Sequence, residues 1–368
     1  MAAFEFMISH NQPFIDSKDL AAVQSVLQGR WIAEGKWARK FEKAISKYLH
    51  QKYAQCTSSG TAALHLALLA LKIKKGDEVI CSTYACTALL NALHYVGAKP
   101  VLADIDGKTL GLSPVTVKKR ISRKTKAILV HHAFGIPADI QKIQALGIPV
   151  IEDIAQALGS RRGSRPLGSF GDLTICSFFA TKMIATGYGG MILTKNRAWG
   201  EKIRDLCQYD RRRDYKVRYN YALSDIHAAL GMSQFQKLTK FVARRRQIAA
   251  RYLRALAQNS SIQTWIGRKG DKPNFYRFIL AGRRKYAHDV NYFKRKGIQA
   301  ISPIEPYQLL HRYLGLNPRN FPVAEAVAQY VVSVPIYPAM SQNQIRKVCQ
   351  ALQNLPVPGP SCTPGVVS

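Results

Sequence analysis

Acidic residues are scarce in this chain. Asp and Glu total 22 against 54 Lys and Arg, a formal charge of +32 over 368 residues. The basic residues are dispersed, with local clusters at Lys118 to Lys126, Arg211 to Arg213, Arg244 to Arg246 and Lys294 to Lys296. Such a surface attracts anions but says nothing about the fold. Paired cysteine motifs are absent. The seven cysteines, at 56, 81, 86, 176, 207, 349 and 362, include no CxxC pair, and their number is odd. Neither a disulfide framework nor a zinc site is indicated, so no metal is expected and a reducing cytoplasm is the simplest compartment. Long apolar runs are missing too. The most apolar helical stretch, about Ala62 to Ile73, is too short to span a bilayer and carries His65. The N-terminus, Met-Ala-Ala-Phe-Glu-Phe-Met, lacks the basic and apolar regions of a secretory signal. No internal repeat and no helix-turn-helix, zinc-finger or RRM signature is found, so a membrane partner is not expected and a nucleic-acid partner is disfavoured.

What is present is an ordinary globular texture, 47% hydrophobic and 21% charged, over a length sufficient for two domains. From Tyr53 onward, short apolar runs alternate with segments of helical spacing. The runs are Tyr53 to Thr57, Glu78 to Thr83, Pro100 to Asp104, Ala127 to His132, Pro149 to Glu152, Leu173 to Ser177 and Gly190 to Thr194. This alternation predicts an α/β chain with a mostly parallel sheet covered on both faces. The texture from Ser260 to Leu355 is mixed, with strands expected at Phe275 to Leu280 and Ser333 to Ile336, and places a smaller domain there. The expected division is 1–245 for an N-terminal arm and large domain, 246–355 for the small domain, and a Pro/Gly-rich tail at 356–368 with the composition of disorder.

The stretch from Ile148 to Thr194 organises the rest. One apolar run ends in Glu152-Asp153, the next ends just before Lys182, and a glycine turn leads into the third. A carboxylate and an amine at strand ends lie where open α/β sheets place their ligands. An Asp and a Lys held together suit pyridoxal phosphate chemistry, the Lys condensing with the cofactor aldehyde and the Asp holding the pyridine nitrogen protonated. A structural ion pair, or two surface charges, would read the same way from spacing alone. Ser58-Ser59-Gly60-Thr61 follows the first strand and opens a helix, a setting for either a phosphate or simple helix capping.

The ordered motifs resemble the DegT/DnrJ/EryC1/StrS family, pyridoxal-phosphate-dependent sugar aminotransferases of fold type I. The resemblance runs from about Phe14 to Leu352. It rests on Gly29-x-Trp31-Ile32-x-x-Gly35, Ser59-Gly60-Thr61-Ala62-Ala63-Leu64, His132-x-Phe134-Gly135, Glu152-Asp153-x-Ala155-Gln156, Ser177-Phe178-Phe179-x-Thr181-Lys182, Gly189-Gly190-Met191 and Asn220-Tyr221. It implies a seven-stranded, mostly parallel sheet in the large domain and an α+β small domain. It implies Lys182 as the lysine that bonds pyridoxal 5′-phosphate, Asp153 at the pyridine nitrogen, and Gln156 at the ring face or 3-oxygen. Gly60, Thr61 and Ser177 would bind the phosphate. Asn220 would reach the neighbouring subunit's cofactor, which makes a homodimer with shared sites. Trp31 and Tyr188 would contact the substrate, with Tyr188 standing where Glu is common. Cys86 stands where an aromatic often packs on the cofactor, and whether Tyr84 or another group takes that place is open. A common His near Pro306-Tyr307 is not evident.

The activity so implied is amino transfer, usually from glutamate, to a keto sugar on a nucleoside diphosphate, for surface polysaccharide or a glycosylated metabolite. Lys182 argues against the dehydratase branch that has His there. The alternatives are a catalytically silent relative with a regulatory or nucleic-acid role, which the charge favours, and a fold type I enzyme acting on amino acids, which the Trp31 loop disfavours.

Overall fold

A computed structural model describes residues 7–210, 212–257, 259, 261–282 and 284–356. The expected tail from 357 onward lies outside the described residues.

The seven apolar runs form seven strands: β1 Tyr53–Thr57, β2 Glu78–Ser82, β3 Lys99–Ala103, β4 Thr125–His131, β5 Val150–Asp153, β6 Leu173–Ser177 and β7 Gly190–Thr194. They make one sheet in the order β1-β7-β6-β5-β4-β2-β3. Pairing is parallel from β6 to β3, and β7 runs antiparallel to both β6 and β1. Side chains alternate across each strand. Val79, Cys81 and Leu129 therefore join the core layer of Leu66 and Leu68, while Ile80, Ile128 and Val130 join that of Phe41 and Ile45. Two apolar faces need two covering layers, which is why these runs read as continuous hydrophobics rather than as alternating ones.

Helix Gly60–Ala70 covers one face. On the other lie Lys36–Tyr48, whose inward residues Ala38, Phe41 and Ile45 are fully buried, and Asp225–Gln236 packed beside it. Asp225 joins the two elements by accepting the backbone N–H groups of Gly35, Trp37 and Ala38 at 2.9, 3.1 and 2.9 Å.

The C-terminal part has its own three-stranded antiparallel sheet, Gln263–Thr264, Phe278–Ala281 and Val331–Val334. The last two strands start within a few residues of the expected positions. Helix Leu238–Leu256 runs unbroken across position 245 and carries the chain into this part. No described helix is long and apolar enough to cross a membrane.

The strand ends that matter share one edge. Thr57 and Ser177 both pair with Gly190, so β1 and β6 finish level with each other on either side of the start of β7. A Cβ on Gly190 would lie 2.5–2.6 Å from the backbone of Ser59 and Gly60. Glycine is therefore required for the start of β7 to pass against the start of the helix at Gly60.

Candidate active site

At this edge a cavity of about 330 Å³ opens. Ser59, Gly60 and Thr61 form one wall, with Ser177 beside them. Ser59 Oγ accepts the N–H of Ala62 at 3.1 Å and caps the helix. The N–H groups of Gly60 and Thr61 find no acceptor among the described residues. Ser59 thus caps the helix, and two uncommitted donors at its positive terminus are left on the cavity wall. The fit is tight, since a Cβ on Gly60 would meet Ser177 Cβ at 3.0 Å.

Glu152 and Asp153 go to different fates because they are consecutive on a strand. Glu152 is fully buried away from the cavity. It accepts N–H bonds from Gly168, Phe170 and Gly171 at 2.6, 2.9 and 2.7 Å, and lies 3.1 Å from His132 Nε2. His132 Nδ1 accepts the Ala138 N–H at 3.0 Å, so its proton sits on Nε2 and points at Glu152. Glu152 ties the segment 168–171 to β5 through these three bonds. Glu152→Ala would strand the N–H donors of Gly168 and Phe170, both buried, and of half-buried Gly171, and is expected to cost about 3–5 kcal/mol. A thermal melt of the purified variant checks this, and an unchanged melting temperature contradicts it.

Asp153 lines the cavity, half-buried, with Oδ1 accepting the Ala155 N–H at 2.8 Å. Burial raises its pKa, against the lowering effects of the Ala155 bond, Lys182 and His132. Lys182 lies on the same cavity, in a loop that leaves β6 and returns as the glycine turn. That loop is closed by Phe178 N–H to Gly189 O at 2.9 Å and Thr186 N–H to Phe178 O at 2.8 Å. Lys182 Nζ stands 5.4 Å from the ring centre of Tyr276, a residue of the C-terminal part.

The remaining expected residues fall in several places. Tyr188 stands at the cavity rim, 66% exposed, edge-on to Phe179. Gln156 does not line this cavity; its Oε1 accepts the Phe134 N–H at 2.7 Å. Tyr84 is buried behind the wall against Phe134, so the wall itself is Cys86, Ala88 and Leu89. Trp31 and Asn220 line a second cavity of about 620 Å³ that shares no residue with the first. One chain therefore gathers Lys182, Asp153, Gly60, Thr61, Ser177 and Tyr188, and holds Trp31 and Asn220 elsewhere.

Sequence reading missed the division of labour between Glu152 and Asp153, which period-two alternation could have supplied. It also missed Tyr276, for which no local signal exists.

The cavity suits a phosphate-bearing pyridine aldehyde. Free N–H groups and hydroxyls of Thr61 and Ser177 can take a phosphate, Asp153 can meet a ring nitrogen, and Lys182 offers the amine. The DegT/DnrJ/EryC1/StrS aminotransferase family matches residues 13–353. The chain is similar to GDP-perosamine synthase of Escherichia coli O157:H7, 32% identical over 360 residues, covering 93% of this chain and 96% of that protein. It is 30% identical over 379 residues to the spore coat polysaccharide biosynthesis protein SpsC of Bacillus subtilis (strain 168), covering 95% and 97%. The crystal structure of the aminotransferase TlmJ from Streptoalloteichus hindustanus superposes with a TM-score of 0.87 at 27% identity, covering 94% of this chain and 98% of that one.

Proposed function

We propose, since this chain belongs to the DegT/DnrJ/EryC1/StrS aminotransferase family, that it uses pyridoxal 5′-phosphate to move an amino group from glutamate to a keto sugar carried on a nucleoside diphosphate. The observation that carries this reading is Lys182 and Asp153 on one cavity with the uncommitted N–H groups of Gly60 and Thr61. The name of the E. coli relative supports a nucleotide sugar as substrate.

The cofactor, when bound, supplies an aldehyde that condenses with amines and a ring that takes up electrons. Gly60, Thr61 and Ser177 hold its phosphate. Asp153 keeps the ring nitrogen protonated, and the apolar surroundings that raise its own pKa make that contact strong once paired. Lys182, whose amine would bond the cofactor aldehyde, is placed to take a proton from the donor's α-carbon. Phe179 and Tyr188 cover the rim and restrict water. The reading as a silent relative loses its ground, because both groups such a protein could dispense with remain on the cavity. A screen of nucleotide keto sugars with glutamate, read by mass for the amino sugar, tests the reaction. Absence of amine transfer to every sugar from a cofactor-loaded protein rejects it.

The separation of Trp31 and Asn220 from Lys182 within one chain supports a homodimer whose sites are shared. Asn220 is exposed, and Arg218 beside it is fixed by Asp205 at 3.0 Å and Asp214 at 2.6 Å, so the segment is presented outward. Asn220→Ala is expected to weaken cofactor binding by about 1.5–3 kcal/mol, the scale for a hydrogen bond to a charged group. Mixing Asn220→Ala with Lys182→Ala protein and allowing subunit exchange should restore activity. One site of each mixed dimer then carries neither lesion. If mass confirms exchange and activity stays absent, Asn220 serves its own chain.

A further inference from the structure

His65 touches nothing in the Lys182 cavity, yet it lies on the helix whose start forms the cavity wall. It sits about one turn past Thr61 on helix Gly60–Ala70 and is 4% exposed. Three tyrosines surround its ring. The ring centres of Tyr219, Tyr95 and Tyr221 lie 4.8, 5.5 and 5.9 Å away, all edge-on. Nδ1 is 3.1 Å from the Tyr221 hydroxyl, and Nε2 is buried without a partner among the described residues. Burial lowers the His65 pKa, so the ring is mostly neutral at pH 7. An unpartnered buried nitrogen is a cost that a leucine of similar bulk would avoid.

Two of these tyrosines flank Asn220. Tyr219 gives its backbone N–H to Leu206 O and Tyr221 gives its own to Cys207 O, each at 2.9 Å. Their rings stack 5.1 Å apart, 12° from parallel, against His65. Residues two apart share a side of such a segment, and the one between points the other way. Asn220, Ala222 and Ser224 accordingly line the 620 Å³ cavity with Trp31, while Tyr219, Tyr221 and His65 do not. The Tyr221 carbonyl also accepts the Ser58 N–H at 2.7 Å, beside the Ser59 cap. One helix start therefore holds the phosphate wall of its own chain and the base of the Asn220 segment.

We infer that His65 is a positioning residue for the partner subunit's site: by clamping Tyr219 and Tyr221 it aims Asn220 across the dimer at the neighbouring cofactor. This rests on the shared-site reading and adds to it the group that holds the reaching residue in place. An exposed segment that must order itself before its asparagine can bond a phosphate gives up affinity to chain entropy. A segment already fixed does not. Arg218, held by Asp205 and Asp214, fixes the near end of this one. His65 fixes the two residues on either side of Asn220 itself.

Cofactor loading of the assembled protein measures this without turnover. The concentration of pyridoxal 5′-phosphate that half-loads Lys182 is read by borohydride reduction and intact mass. His65→Leu, which keeps the bulk, should raise it roughly threefold to tenfold, and Tyr221→Phe, which drops only the hydroxyl, roughly twofold to fivefold. His65→Leu added to Asn220→Ala should cost nothing further, since both act through one contact. The discriminating readout is in trans. With Lys182→Ala chains in excess and subunits exchanged, each His65→Leu chain keeps its own Lys182 and receives Asn220 from a partner whose clamp is intact. Half-loading of that Lys182 should return to the wild-type value. A loss that stays with the His65→Leu chain marks a fault in its own helix start and overturns the proposal, as does wild-type loading of the His65→Leu homodimer. Should His65→Leu fail to fold, Tyr221→Phe carries the same mixing test with the same outcomes. Wild-type loading of Asn220→Ala sinks the shared site itself. A weakened Asn220→Ala with both clamp variants unchanged sinks the clamp alone.

Discussion

Lys182→Ala is expected to lose amine transfer by on the order of 10⁴-fold or more, the scale for removing a group that acts as one unit with its neighbours. Two losses add up. No side-chain amine is left to bond the cofactor, and none is left to move the proton between donor and cofactor carbons. The wild type, loaded with pyridoxal phosphate, should be yellow and should retain the cofactor covalently after borohydride reduction, on the peptide that contains Lys182. The variant should bind cofactor through the Gly60–Thr61 wall and release all of it on denaturation. The change also removes the Lys182 charge, which helps hold the Tyr276 phenol below its ordinary value, so that phenol's pKa should rise in the variant. A wild type that stays colourless with excess cofactor, or whose label falls on another lysine, would falsify the assignment.

The sheet was legible because each strand is a short apolar run bounded by turns, the pattern of strands buried on both faces. β1, β6 and β7 begin and end where the apolar runs do. Lys182 and Asp153 were legible because they follow such runs, and strand ends converge on one edge in a parallel sheet. What could not be read depends on contacts between distant segments. His10 reaches Arg277 across 267 positions, and Gln156 commits its amide oxygen to Phe134 across 22. Neither contact leaves a spacing in the sequence. Tyr84 illustrates the same limit. As an aromatic beside Cys86 it was a candidate for the cavity wall, yet the turn set by its N–H bond to Ser82 Oγ at 3.1 Å directs it inward to Phe134. The placement of Trp31 on a separate cavity follows from Asp225, which pins Gly35 from a helix 190 residues away.

Asp153→Asn is the second large effect, and its signature is a trade between stability and rate. Asparagine keeps the size and can keep Oδ1 on the Ala155 N–H, so the cavity should retain its shape. It cannot hold a ring nitrogen protonated, and the donor's α-proton then becomes harder to remove. Single-turnover rates with glutamate, followed by stopped-flow absorbance, should drop about 10²–10⁴-fold, as for other preorganised charges. Stability without cofactor should move the other way. Burial raises the Asp153 pKa, so the folded protein holds that proton more tightly than the unfolded chain does. Stability therefore falls as pH rises from the unfolded value through the raised one, and the charge is a cost at neutral pH. Removing it should leave cofactor-free Asp153→Asn as stable as the cofactor-free wild type, or more so, at pH 7, with the difference vanishing in acid. Cofactor should stabilise the wild type more than the variant, because only the wild type gains the charged contact. Near-normal single-turnover rates in Asp153→Asn, or a lower cofactor-free melting temperature at pH 7, would show that Asp153 is held there for the fold and not for the ring nitrogen.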